Sequence, residues 1–303
     1  MTAAFVSAGS VDEALSALKS GARPVAGGTD LVVGARQGKA ALPEHIVAIH
    51  QIDELRGVRV SDGRLRLGAL ATHAEIAADS IVRRRLTALA DACSIVGSHA
   101  TRANGTVGGN LMNASPAMEV GGPLQVFDAE VLLRSSTSER MVPVASLATG
   151  PGTTDTTRDE LLTDVLVAVP SDGTGSCYAR LEYRRQMEIA IVGVTAAVTV
   201  TDRRVTRARV AITALAPTIM LVPEAEEALL GSDGGMAAAA AAAKAAAQAA
   251  NPISDVRGSA DYRRAMAEVV ARRVIDAAVR RAEGGEVSVP ASDALFAAAR
   301  GAP

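Results

Sequence analysis

The apolar positions change period several times along the chain, and those changes outline its elements. A short strand is predicted at the start. A helix follows, with Ser10 as N-cap, Glu13 three residues on as its capping-box partner, and Val11, Ala14, Leu15 and Leu18 at helical spacing. Gly21 ends that helix. Pro24 to Leu31 reads as a strand running into a glycine turn, with a second helix over 31–37 and another strand over 46–49. From Gly57 the pattern becomes alternating: Val58, Val60, Leu65, Leu67 and Leu70 flank Asp62-Gly63, a hairpin signal. Helices are predicted over 74–78 and 81–95, followed by a stretch rich in glycine and asparagine over 97–122. Alternation at 130–133, 166–169, 193–200 and 207–215 predicts strands of sheets with one polar face. The last third is helical. Residues 237–250 hold 12 alanines in 14 positions, which predicts a surface helix needing little side-chain packing. Met266, Val269, Val270, Val274, Ile275 and Ala278 predict a longer helix over 262–283, buried on one face. Pro-Ser-Asp-Gly-Thr-Gly-Ser interrupts the pattern and places a domain boundary near 170–175.

Composition narrows the function. A chain of 303 residues fits a prior of two domains. The 31 basic and 33 acidic residues give a net charge of −2, which argues against nucleic-acid binding. Aromatic residues make up 2% of the chain, so a base-stacking platform is hard to build. The two cysteines, Cys93 and Cys177, form neither a disulfide framework nor a metal knuckle and read as structural thiols in a reducing compartment. The first residues lack the pattern of an export signal, and no run of 18 apolar residues is present, so the expectation is a cytoplasmic protein without a membrane span. His45, His50, His73 and His99 lack metal-ligand spacing and are expected to be solvated or capping. No GxSxG elbow is present, and no Cys/His pair marks a nucleophile. The run Arg83-Arg84-Arg85 reads as a solvated helix face.

Two glycine-rich segments carry the candidate chemistry. The first is Ala26-Gly27-Gly28-Thr29-Asp30 and the second Gly105-Thr106-Val107-Gly108-Gly109-Asn110. Paired glycines let backbone approach a ligand closely, and successive N–H groups form an anion-binding nest. Two nests, one on each side, suit a pyrophosphate. Neither segment has GxGxxG or Walker A spacing, so the dinucleotide site of a standard Rossmann domain is disfavoured.

With their flanks the segments become more specific. Pro-Val-Ala-Gly-Gly-Thr-Asp-Leu from Pro24, then Gly-Thr-Val-Gly-Gly-Asn-Leu-Met-Asn-Ala-Ser-Pro from Gly105, resemble the FAD-binding subunit of molybdenum hydroxylases, the xanthine dehydrogenase and carbon monoxide dehydrogenase group. The resemblance continues through Glu160-Leu161-Leu162, through Arg184 to Ala190, and through Asp255 to Arg263. It implies an α+β fold: a two-lobed FAD-binding domain of the vanillyl-alcohol-oxidase-like type over 1–172, with lobes about 1–56 and 57–172. A smaller C-terminal α+β domain over 173–286 and a tail over 287–303 would follow.

The resemblance also implies the site. Pro24, Val25, Ala26, Gly27, Gly28, Thr29, Asp30 and Leu31 match the first pyrophosphate loop, and Thr106, Val107, Gly108, Gly109 and Asn110 the second. Glu119 matches an acidic position touching FAD, Leu162 a segment covering the cofactor, and Arg180 a basic position near the flavin or its phosphates. Ile189 matches a position beside the isoalloxazine ring, where an aliphatic side chain shields the ring without stacking on it. Arg184 and Arg185 fall in the same motif, with Glu188 placed to orient them.

The implied role is an electron-transfer station with one non-covalent FAD. Molybdopterin and [2Fe-2S] clusters are expected only on partner subunits, a large molybdopterin subunit and a small [2Fe-2S] subunit, in a dimer of heterotrimers that delivers electrons to an external electron acceptor. No nucleic acid partner is expected. Two other readings stay open: a stand-alone flavin-dependent oxidase or reductase of the same fold, and a nucleotide-binding scaffold that has lost flavin.

Overall fold

A computed structural model describes residues 4–61 and 63–297. Asp62, half of the hairpin signal, lies outside the described residues, as do residues 298–303 of the expected tail.

The chain opens with β1 (Ala4–Ser7), α1 (Val11–Lys19), β2 (Arg23–Val25), α2 (Leu31–Arg36) and β3 (His45–Ala48). The three strands form a parallel sheet in the order β1-β3-β2. Ser10 Oγ accepts from the Glu13 N–H at 3.2 Å, while the Glu13 carboxylate accepts from Gly9 rather than from Ser10, at 2.8 Å. The apolar stripe of α1, Val11, Ala14, Leu15 and Leu18, is buried with Val47, Ile49, Ile52 and Leu55. At Gly21 the chain leaves the helix with φ 90°, a conformation that favours glycine.

A second layer follows: β4 (Val58–Ser61), β5 (Arg64–Gly68), α3 (His73–Ala78), α4 (Ser80–Arg85), α5 (Thr87–Ile95), α6 (His99–Asn104), α7 (Val107–Met112), α8 (Gly121–Val126), β6 (Glu130–Arg134), β7 (Glu139–Pro143), α9 (Val144–Leu147), β8 (Ala148–Gly150), β9 (Thr153–Thr154) and β10 (Leu161–Ala168). Strands β4-β5-β10-β6-β7 make an antiparallel sheet. The single helix expected over 81–95 is broken at Leu86, whose φ of −125° and ψ of 49° are not helical. Asp79 caps the first piece, accepting from the Ile81 and Val82 N–H groups. The strand expected at 166–169 is the end of the longer β10. This central strand is buried almost throughout, so its first half shows no alternation.

The remainder comprises β11 (Thr174–Leu181), β12 (Val192–Thr201), β13 (Arg204–Thr213), β14 (Met220–Leu221), α10 (Pro223–Leu229), α11 (Met236–Ala249), α12 (Ala260–Ala282) and α13 (Ala291–Ala297). The strands form an antiparallel sheet in sequence order. One sequence expectation changes here, that of the alanine helix, and two segments gain structure. Strand β11 begins inside the Gly/Ser-rich segment read as a break. The alanine helix is no surface element: Ala239, Ala242, Ala243, Ala246 and Ala247 are buried in the same core as Val270, Ala271, Val274 and Ile275 of α12. Small side chains on both helices let the backbones approach, so burial comes from closeness rather than from bulk. Finally, residues 291–297, expected as part of a tail, form α13, where the Ser292 hydroxyl accepts from the Arg180 N–H at 3.0 Å.

Candidate functional site

The two glycine loops meet. A Cβ built on Gly27 would lie 1.8 Å from the Asn104 carbonyl oxygen, so only glycine lets the first loop rest on the turn that leads into the second. Gly28 takes φ 69°. On the other side, a Cβ on Gly105 would lie 3.3 Å from His73 Cδ2 and 3.4 Å from Thr29 Oγ1. Pro24 and Val25 are anchored in β2 beside Val47 and Ala48. Asp30 is the N-cap of α2 without a side-chain capping bond, and Leu31 begins that helix. Partial burial raises the Asp30 carboxyl above its usual range.

The loops differ in what they offer a ligand. In the first, the N–H groups of Gly27, Gly28, Thr29 and Asp30 have no acceptor among the described residues, which leaves an open nest. In the second, Val107 donates to Ala71 O and Gly108 to Ala69 O, both at 3.0 Å. Gly109 donates to Thr106 Oγ1 at 3.1 Å, and Asn110 to Thr106 O at 2.9 Å. The expectation of two nests, one on each side, is therefore corrected for the second loop. The second loop spends these backbone donors on the turn that follows β5 and on its own cap, because α7 packs against β5 and β10. What it presents is shape and side chains. Asn110 Oδ1 is buried without a partner and calls for a hydrogen-bond donor.

The remaining candidate residues are spread over three environments. Glu119 and Arg180 pair with each other in the interior, where Arg180 also donates from Nε to Glu182 at 2.6 Å and from a terminal nitrogen to Ile95 O at 3.0 Å. Burial raises both carboxyls against the pull of the guanidinium. Leu162 is buried in the main core on β10. Ile189 lies 46% exposed on the loop between β11 and β12. That loop is tied back by the Met187 N–H donating to Gly97 O at 3.0 Å, and Glu188 pairs with Arg184 at 2.9 Å, as its position suggested. Arg180 thus holds Ile95 at one end of the turn that Met187 contacts at the other.

From sequence, His73 reads as solvated or capping and Cys93 as a structural thiol, without a link between the two. His73 is 2% exposed rather than solvated, and Cys93 Sγ lies 3.7 Å from its Nδ1. Burial lowers the imidazole to about 4, helped by nearby Arg102, and burial pushes the Cys93 thiol up. The readable signal was the Thr72-x-x-Glu75 capping box: Thr72 Oγ1 accepts from the Glu75 N–H at 3.2 Å and Glu75 accepts from the Thr72 N–H at 2.8 Å, which orients the first turn of α3. The pairing with Cys93, 20 residues on, has no signature in sequence.

Comparison with known proteins decides what the loops belong to. Residues 1–171 match the family model described as the FAD binding domain in molybdopterin dehydrogenase, and residues 177–278 match the CO dehydrogenase flavoprotein C-terminal domain. The chain belongs to the FAD-binding subunits of the molybdenum hydroxylase family. It is 30% identical to the carbon monoxide dehydrogenase medium chain of Hydrogenophaga pseudoflava over 88% of this chain and 92% of that one. It is 29% identical to the xanthine dehydrogenase FAD-binding subunit of Escherichia coli O157:H7 over 87% and 90%. Among solved structures, carbon monoxide dehydrogenase from Hydrogenophaga pseudoflava superposes with a TM-score of 0.88 at 30% identity, covering 93% of this chain and 98% of that one. Quinoline 2-oxidoreductase from Pseudomonas putida 86 gives 0.86 at 26% identity, covering 93% and 98%. As a member of this family the chain is an oxidoreductase component with a mixed α/β fold, an FAD-binding domain and a C-terminal domain.

The residues present fit FAD. The open nest of the first loop suits a diphosphate, the glycine-only contact at Gly27 keeps the two loops abutting, and the orphaned Asn110 Oδ1 suits a ribityl or ribose hydroxyl.

Proposed function

We propose that this chain is the FAD-binding electron-transfer subunit of a molybdenum-containing hydroxylase or dehydrogenase, passing electrons from [2Fe-2S] clusters on a partner subunit through FAD to an external acceptor. The observation that carries the reading is the open N–H nest of Gly27 to Asp30 seated against the second loop. Bound FAD supplies exchange of electrons singly or in pairs. The chain's own residues bind and orient it. In this reading the segments from Pro24 to Leu31 and from Thr106 to Asn110 hold the diphosphate and its flanking hydroxyls. Glu119 contributes the acidic position at the FAD, Arg180 the basic position near the flavin or its phosphates, Leu162 belongs to the segment covering the cofactor, and Ile189 shields the ring. The FAD is non-covalent, since neither loop contains His or Cys, and filtration of the denatured holoprotein should carry the flavin away from the polypeptide.

The rest of the reading concerns organisation. The FAD-binding domain spans 1–172, is of the vanillyl-alcohol-oxidase-like type, and is followed by a C-terminal domain over 173–286 and an end segment over 287–303. Both cysteines are buried and free, so this chain does not hold a four-cysteine cluster. The clusters and the molybdopterin then reside on small and large partner subunits, in a cytoplasmic dimer of heterotrimers. Among the described residues no helix is long and apolar enough to cross a membrane.

Anaerobic mixing with purine or aldehyde substrates tests the function. Flavin bleaching is expected in the assembled complex and not in the isolated chain. Rapid bleaching of the isolated chain would transfer catalysis here and favour the stand-alone oxidase.

A further inference from the structure

The junction of the two loops has polar side chains of which one, His73, lies outside both glycine motifs. His73 opens α3, and its backbone N–H donates to Gly105 O at 3.1 Å, which fixes the helix to the second loop. Its ring edge reaches the same place: the missing Cβ of Gly105 is 3.3 Å from His73 Cδ2 and 3.4 Å from Thr29 Oγ1, so imidazole and hydroxyl flank one point where the loops touch. The other edge of the ring faces Cys93 at 3.7 Å. The contact fits either tautomer; with the thiol as donor to Nδ1, the ring proton sits on Nε2. Neither Nε2 nor the Thr29 hydroxyl has a hydrogen-bond partner among the described residues. Nε2 keeps a small solvent-accessible surface although the residue is 2% exposed, so that corner of the ring can meet a ligand atom. The second loop has spent the backbone donors of Val107 to Asn110, so an anion on that side needs a side-chain donor. Arg102 on the adjacent helix α6 adds positive potential at the imidazole.

We infer that His73 is a ligand of the cofactor, donating from Nε2 to a diphosphate oxygen at the junction of the two loops, with Cys93 setting its tautomer. This rests on the FAD reading above. It adds to the glycine loops a donor outside both motifs, drawn from the strand-to-helix turn that supports the second one.

Flavin-free full-length chain tests it, titrated with FAD and separately with riboflavin, which lacks the diphosphate. His73→Leu keeps the bulk and removes the donor. His73→Gln keeps an amide donor at the reach of Nε2. The expected result is an FAD dissociation constant raised about tenfold or more in His73→Leu, close to that of the unaltered chain in His73→Gln, with riboflavin binding alike in all three. Nitrogen NMR of the imidazole should show the Nε2 resonance moving when FAD is added. Equal FAD affinity in all three proteins overturns the inference, as does an equal loss of FAD and of riboflavin in both variants with a common fall in melting temperature, which marks a packing role. Failure of the unaltered chain to bind FAD overturns the FAD reading itself, and is seen without any variant.

Discussion

Asp91 on α5 and Arg281 near the end of α12 form a two-pronged ion pair at 2.6 and 3.1 Å, although 190 residues separate them. The carboxylate also accepts from the Tyr178 N–H of β11 at 3.1 Å and from the Ala291 N–H of α13 at 3.0 Å. One buried side chain thus joins the glycine-loop half of the molecule to three elements of the C-terminal half. Burial raises the Asp91 carboxyl, and the guanidinium and both N–H groups oppose that shift.

Breaking this pair should be among the most costly single changes available. Asp91→Ala leaves two backbone donors without acceptors and a buried guanidinium without its counter-charge, held only by the carbonyls of Ser176, Val287 and Ser288, so unfolding free energy should fall by about 3–5 kcal/mol. Urea denaturation measures it. Asp91→Ala combined with Arg281→Met should recover part of the loss, because the stranded charge is then gone. A double variant as unstable as the sum of the singles would show that the two residues do not act as a pair.

The glycines of the loops should separate by variant. Gly27→Ala forces a methyl into the Asn104 carbonyl, so both flavin content and stability should drop, the latter by about 1–3 kcal/mol. At Gly109 an added Cβ meets only Thr106 Oγ1, at 3.0 Å, on an exposed surface. Gly109→Ala should keep the fold to within about 1 kcal/mol while lowering flavin per polypeptide. Visible absorption and thermal melting of the two proteins check the contrast.

Acid should destabilise the flavin-free chain through His73. Its folded value of about 4 lies below the ordinary 6.5, so protonation favours the unfolded chain. The penalty is absent above about pH 6.5, grows as pH falls towards 4, and amounts to about 3 kcal/mol once both states are protonated. Cys93 and Arg102 are the titratable or charged groups facing the ring from α5 and α6. Urea midpoints at neutral pH and near pH 4.5 should differ less in His73→Gln than in the unaltered chain, by the equivalent of about 2–3 kcal/mol.

The alanine helix gives a packing test. Ala243 is 1% exposed against α12, and Ala241 points outward. Ala243→Leu should cost about 1–3 kcal/mol or more by overpacking, and Ala241→Leu no more than about 0.5 kcal/mol. Equal effects at the two positions would return α11 to the surface role its composition suggested.

Local chemistry determined a good part of this protein from sequence alone. The cap at Ser10, the stripe of α1, the hairpin between β4 and β5, the strands β12 and β13 and the helix α12 follow from periods and capping residues that act within a few positions. The order of the two glycine segments and their flanks likewise led to the family. Such features are legible because their cause lies in neighbouring residues.

What only the tertiary structure decided involves partners distant in sequence. The central strand β10 hid its period because both its faces are covered by other elements. The alanine helix became core because α12 lies against it, a fact its own composition does not contain. Gly108 and Gly109 looked like the glycines of the first loop, yet Gly108 donates to Ala69 and Gly109 to its own N-cap Thr106, leaving the open nest to Gly27 and Gly28. His73 and Cys93 met only when α3 packed on α5. Hydrogen bonding and burial are properties of the assembled surroundings, so the same dipeptide or side chain takes different roles according to what the fold brings beside it.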